Sequence, residues 1–178
     1  MDAFTPSDYV AVNISVTDRE NPYSLAHPLV YHNDVVSVLC EAGFQWDGAS
    51  IPYWWPLLPW LITLLLVWLA PGVLTASVAA LLLLYTQRLL PWMQHIGPHV
   101  RAACVHDKLY RSRLVARVVA DAILLNILEV DGVPVDIRYH IYGYVRLLGW
   151  LAWRSHTEET RLIAVRGVRV VGTSEAPC

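Results

Sequence analysis

The stretch Arg101 to Tyr110, RAACVHDKLY, sets a histidine beside an aspartate inside a helical pattern, and Asp121 follows one helix later. On a helix, Ala103, His106 and Tyr110 share one face, whereas Asp107 is turned roughly 100° away. The next helical run starts near Arg113, close to the midpoint between His106 and Asp121. If the chain folds back there, each residue stands about 11 Å from the turn at 1.5 Å rise per residue, so the two are level. Asp121 would then fix the imidazole's tautomer and stabilise its protonated form, leaving the other ring nitrogen as general base on a water. A plainer arrangement uses the same residues: Asp121 pairs with Arg117 four positions back on a solvated face, and His106 is a satisfied core histidine. The seam Leu114, Val118, Asp121, Leu125, Leu128 favours burial of the acid, which demands a partner.

Two further sets of groups could hold a metal. Gly43 to Pro52, GFQWDGASIP, reads as a shaped loop: Asp47-Gly48 favours a turn, and Ile51-Pro52 forces an extended exit. Such a loop can offer backbone carbonyls and the Asp47 carboxylate to a hard cation such as calcium. His95 and His99 have the i, i+4 spacing of a zinc pair, with His106 seven residues on. Gly97-Pro98 interrupts any helix between them.

The elements that position these groups follow from the pattern of the chain. With 178 residues and a net charge of −2, it is long enough for one core, and no electrostatic case for nucleic acid arises. More than half the residues are apolar, and eight tryptophans against two phenylalanines suit a membrane interface. Cys40, Cys104 and Cys178 are far apart without a CxxC spacing, so no disulfide framework is expected. Asp2 and Asp8 precede any apolar stretch, unlike the basic start of a signal peptide. Tyr9 to Val16 alternates like a strand, and Leu29–Tyr31 with Val35–Leu39 predicts a hairpin around His32-Asn33-Asp34.

Between Asp47 and Arg88 there is no charged side chain. The inner part divides at Pro71-Gly72 into arms of roughly 16 and 21 Å, Trp60–Ala70 and Val73–Thr86, each short of the ~30 Å hydrocarbon core. A membrane-type hairpin dipping into one leaflet, a single kinked transmembrane span, or a buried hairpin in a soluble oligomer would each use it. The leaflet hairpin keeps the Asp47 loop and His106 on one side. Beyond it, an apolar helix runs from Leu114 to Val130, and a third from Ile137 to Arg154 with Asp136 as cap and Ile141, Val145, Leu148 and Ala152 as its core stripe. Residues 160–172 alternate like an edge strand. The expected fold is α+β: a small N-terminal antiparallel hairpin or sheet, the apolar hairpin insert, a core of about three helices and a short C-terminal strand. The corresponding segments are 1–52, 53–92, 93–156 and 157–178.

In order, GFQWDGASIP, AACVHDKLY, the Ala120-Asp121 pair and YVRLLGWLAW resemble a family of phage and prophage proteins of unknown function, DUF1353-like. The resemblance spans residues 29–153; Trp46 stands where that family has threonine, and the apolar insert separates the first two motifs. The motif set is also similar to the site of calcium-dependent phospholipases A2, without their disulfides or glycine-rich calcium loop. That likeness implies His106 as general base, Asp121 as its orienter, Tyr110 as a supporting hydrogen-bonding group, and Asp107, Asp47 and Gly48 as calcium ligands. The function it implies is a membrane-associated, phage-type hydrolase that cleaves a lipid ester with calcium. Its partner would be the lipid bilayer, with self-association through the insert or other virion proteins. The alternatives are a non-enzymatic virion, tail or membrane-anchored component, and a zinc-dependent cell-wall hydrolase that uses His95 and His99. The expected location is a membrane, in a virion or at the host's inner membrane.

Overall fold

The computed structural model describes residues 3–4, 12–14, 23–46, 57–70, 72–89 and 99–171. The chain forms two compact units, Met1–Gly48 with Pro98–Cys178, and Ala49–Gly97. In the first unit a four-stranded antiparallel sheet has the order β1-β4-β5-β7, from Ala3–Phe4, Leu29–His32, Val36–Cys40 and Val168–Val170. Val36, Val38 and Cys40 point into the core, with Ser37 and Leu39 less buried, as alternation along a half-covered strand requires. The β4–β5 turn is fastened by Asn33, whose Oδ1 accepts from Val35 N at 3.0 Å and Val36 N at 2.8 Å. A second sheet, β2-β3-β6, joins Val12–Ile14, Tyr23–Leu25 and Gln45–Trp46. The predicted hairpin is therefore β4–β5, extended on both sides by distant strands. Of the strand predicted over 9–16, residues 12–14 are described as β2.

Four helices complete this unit: α3 (Val100–Ser112), α4 (Arg117–Val130), α5 (Val135–Ser155) and α6 (Glu158–Val165). α3 packs between β5, α4 and α6, and buries Val100, Ala102, Cys104, Val105 and Leu109. Cys40 and Cys104 are free, buried thiols. Helix α3 stops at Arg113, a left-handed residue with φ 52°. Its guanidinium donates to the carbonyls of Trp153 at 2.6 Å and His156 at 3.1 Å, so the end of α5 holds this unfavourable backbone in place.

Three expectations are corrected. The helix α6 occupies the first part of the stretch predicted as a strand, which is confined to β7, so the core has four helices where about three were expected. The reason is local: Thr157 caps α6 by accepting from Thr160 N at 3.3 Å, and Glu158 and Glu159 stand in its first turn. At the start of α5 Asp136 does not cap; Pro134 occupies that position and Asp136 lies in the first turn. Along α5, Leu148 of the predicted stripe is exposed, and the residues that meet α3 and α4 in the second half of the helix are Arg146, Gly149 and Trp153, so there the predicted stripe is rotated from the packed face.

In the second unit α1 (Leu57–Leu69) and α2 (Val73–Leu89) pack against each other. They are about 20 and 26 Å long at 1.5 Å per residue. Among the described residues no helix is long and apolar enough to cross a membrane, so a transmembrane span is not supported. Trp68 and Val73 are nonetheless 78% and 87% exposed, with Leu64, Leu74 and Leu81 exposed beside them.

The α6–β7 link provides a test. Gly167 has φ 84°, and a Cβ there would lie 2.6 Å from the Leu39 carbonyl of β5. Gly167→Ala should lower stability by at least about 1–2 kcal/mol, the cost of the left-handed backbone alone, read as a lower urea midpoint with an unchanged slope.

Candidate functional site

The fold-back between α3 and α4 brings His106 and Asp121 together. His106 Nε2 lies 3.0 Å from Asp121 Oδ1, although the helices are joined through residues 113–116 and α4 begins only at Arg117. Tyr110, one turn beyond His106, donates its hydroxyl to the same oxygen at 2.6 Å. The other oxygen, Oδ2, receives Arg146 Nη1 from α5 at 2.7 Å. Asp121 is thus paired with Arg146; Arg117 instead donates to the Arg146 carbonyl at 3.2 Å.

The carboxylate is 0% exposed, while the side chains of His106 and Arg146 are 13% and 33% exposed. The His106 and Tyr110 rings lie 4.0 Å apart, and Trp153 meets Tyr110 edge-on at 5.1 Å. Gly149 makes this approach possible, because a Cβ there would stand 2.6 Å from the Tyr110 hydroxyl.

The protonation states follow from these contacts. Burial lowers the His106 pKa against the opposing pull of Asp121, and nearby Arg117 lowers it further, so the ring is neutral at neutral pH. For Asp121, burial alone would raise the pKa, but the hydrogen bonds from His106, Tyr110 and Arg146 outweigh it and keep the carboxylate ionised. Burial and the same carboxylate push the Tyr110 phenol far up, so it remains a donor. With Asp121 ionised, the shared proton sits on Nε2, and Nδ1 carries the free lone pair.

Asp107 has different neighbours. Its Oδ2 is 2.8 Å from Arg111 Nε, and the Arg111 guanidinium and Lys108 ammonium lie over the Phe44 ring at 5.5 and 5.0 Å. Chain immediately before Asp47 therefore lies against the Asp107 part of α3. Asp47 and Gly48 themselves fall outside the described residues, as does His95. His99 is buried at the start of α3. Among the described residues no group of three or more His, Cys, Asp or Glu side chains could hold a metal. A calcium ion would need further oxygens and would compete with Arg111 for Asp107, so the described residues alone do not make such a site.

Reasoning from spacing found His106, Asp121 and Tyr110 but did not bring Arg146, Gly149 or Trp153 to the site. The V-R-x-x-G pattern within YVRLLGWLAW contained the first two, and an arginine three residues before a helical glycine was the available signal.

Fold and site together define an α+β protein with a buried His–Asp pair braced by tyrosine and arginine. Residues 84–145 match the family model described as "Protein of unknown function (DUF1353)", in agreement with the resemblance drawn from the motifs. The match takes in His106, Asp107, Tyr110, Arg117 and Asp121 and ends one residue before Arg146. No curated protein and no solved structure matches the chain.

Two measurements test this geometry. Gly149→Ala should cost about 1–3 kcal/mol, by forcing Tyr110 off a buried acceptor, and lower the thermal midpoint accordingly. Both His106 and Asp121 have folded pKa values below their ordinary ones, so their contributions are present above those ordinary values and lost on acidification. Stability should fall first as pH drops below 6.5, through His106, and again below 3.8, through Asp121. His106→Ala should flatten the first fall without abolishing it, because burial also lowers the pKa of His140.

Proposed function

We propose that the protein is a membrane-associated hydrolase in which His106 activates a water against a lipid ester. The observation that carries this reading is that His106 Nε2 is tied to the enclosed Asp121, leaving Nδ1 of a neutral, partly exposed ring as the base. In the reaction, Nδ1 takes a proton from water as the hydroxide oxygen adds to the ester carbonyl. The tetrahedral oxyanion then collapses, the acyl–oxygen bond breaks, and the imidazolium returns its proton to the departing alkoxide. Asp121 stabilises the imidazolium while Tyr110 and Arg146 hold the carboxylate still. Support for a lipid substrate comes from the charge-free run between Asp47 and Arg88 and from the exposed apolar side chains of α1 and α2. Calcium belongs to the proposal through Asp107 with Asp47 and Gly48, and the proton transfers do not depend on it.

One observation favours a second reading. Arg146 neutralises the Asp121 carboxylate, which weakens its pull on an imidazolium and is what a structural cluster in a virion or membrane-anchored component would need.

The two readings separate in one experiment: phospholipid hydrolysis in mixed micelles by the purified protein, with calcium and with chelator. Wild type should release fatty acid, and His106→Ala should be about 100- to 10,000-fold slower, the usual worth of a general base, while retaining its circular dichroism. Loss of activity in chelator, reproduced by Asp107→Asn, would place calcium on the Asp107 side. Absence of release from folded wild type under both conditions would sink the hydrolase and leave the cluster structural.

A further inference from the structure

One guanidinium group, that of Arg146, balances the Asp121 carboxylate, and a second, that of Arg117, stands near it. Arg146 binds Oδ2 directly, and Arg117 reaches the Arg146 carbonyl at 3.2 Å. Arg117 also lies close enough to His106 and Tyr110 to act on the charge of both. The only nearby acid on α3, Asp107, is held by Arg111. Around His106 the fixed charges are therefore two positive against one negative, and like charges so placed oppose each other unless an anion joins them.

Arg146 has donors to spare for that anion. Arg146 is one-third exposed, and the hydrogen bond to Asp121 occupies Nη1, one of the three nitrogens in a fork of five N–H donors. His106 and Arg146 bond opposite oxygens of one carboxylate, so the ring and the guanidinium are separated by the width of that group. Next to Arg146 on α5, Leu147 and Leu148 are exposed, and Trp150 and Leu151 follow within the next turn. Oxyanion recognition and apolar surface thus lie side by side.

We propose that Arg146 and Arg117 form an anion subsite that binds the phosphate of a phosphate-bearing acyl ester while His106 faces its ester carbonyl. Planar guanidinium forks match phosphate oxygens in a bidentate way that an ammonium does not, and the exposed leucines suit a ligand with an alkyl chain over a sugar phosphate or nucleotide. This assignment rests on the hydrolase reading for the identity of the ester, and on the two arginines for the phosphate.

The test uses the full chain and two substrates with identical acyl chains in mixed micelles, one a phosphatidyl ester and one a phosphate-free glyceride. Wild type should prefer the phosphatidyl ester by about tenfold or more in kcat/KM, the worth of one charged hydrogen bond. Arg117→Gln should reduce that preference about tenfold, through KM, and Arg146→Lys should reduce the preference likewise, in addition to any loss common to both substrates from its place on Asp121. Arg146→Lys keeps a cation on Asp121 and guards against a variant that merely unfolds. A wild-type preference near one, or equal losses on both substrates, would show that the arginines only position Asp121. If wild type cleaves neither substrate, the hydrolase reading fails separately, and titration calorimetry with glycerol 3-phosphate decides the subsite. Binding to wild type that is lost in Arg117→Gln would uphold it, and no binding to wild type would overturn it.

Discussion

An ionised carboxylate enclosed by protein is tolerable only if its lone pairs are met by donors, and Asp121 is the group on which the first unit is arranged. Left unmatched it would cost several kcal/mol. It is carried by α4, and its donors come from α3 and α5: an imidazole, a phenol and a guanidinium at 2.6 to 3.0 Å. A slip of any of the three helices by one residue would rotate a donor away from the acid. The carboxylate therefore fixes both the rotation and the height of α3, α4 and α5 relative to one another, which apolar side chains of interchangeable shape do less sharply. The absent side chain at Gly149 and the edge-on Trp153 follow from the same constraint, since Tyr110 must come close enough to reach the acid.

The His106–Asp121 pair was legible in the sequence because two helices that fold back about a midpoint bring equidistant residues level. Error in the junction was harmless. The observed turn over residues 113–116 offsets the two positions by two residues, about 3 Å at 1.5 Å per residue, a gap the length of the side chains covers. Arg146 was not legible in this way. It lies on a third helix, 25 residues from Asp121, and nothing in the local periodicity separates an arginine that turns inward from one in solvent. Helix α6 was hidden for another reason: Leu162, Ile163, Ala164 and Val165 carry strand-like hydrophobicity, and the decisive signal was the cap at Thr157 with two glutamates after it. Strand β7 was visible as an edge, yet its partner β5 lies far away in sequence, and such pairings leave no trace in a local window.

Three hydroxyl side chains of the second unit are satisfied by a different route. Thr75, Ser77 and Thr86 return their hydroxyls to backbone carbonyls at 2.6 to 2.9 Å within the hairpin, so these side chains ask nothing of a solvent. Its described helices carry one charge, Arg88, in the last turn of α2, where the helix dipole favours a cation. Side chains of this kind suit a surrounding of low polarity, whereas the first unit depends on charges that are buried and matched.

The pairing of β5 with β7 sets an order of events during synthesis. β5 leaves the ribosome long before β7, and the whole of α1 and α2 emerges between them. The sheet that underlies α3 can be closed only after Val170 is available, by which time the most apolar part of the chain has been outside the ribosome for some 80 residues. At about 5–20 residues per second this is an interval of several seconds. Folding of the first unit is thus completed only after α1 and α2 have emerged, so the packing of these two helices against each other can come first.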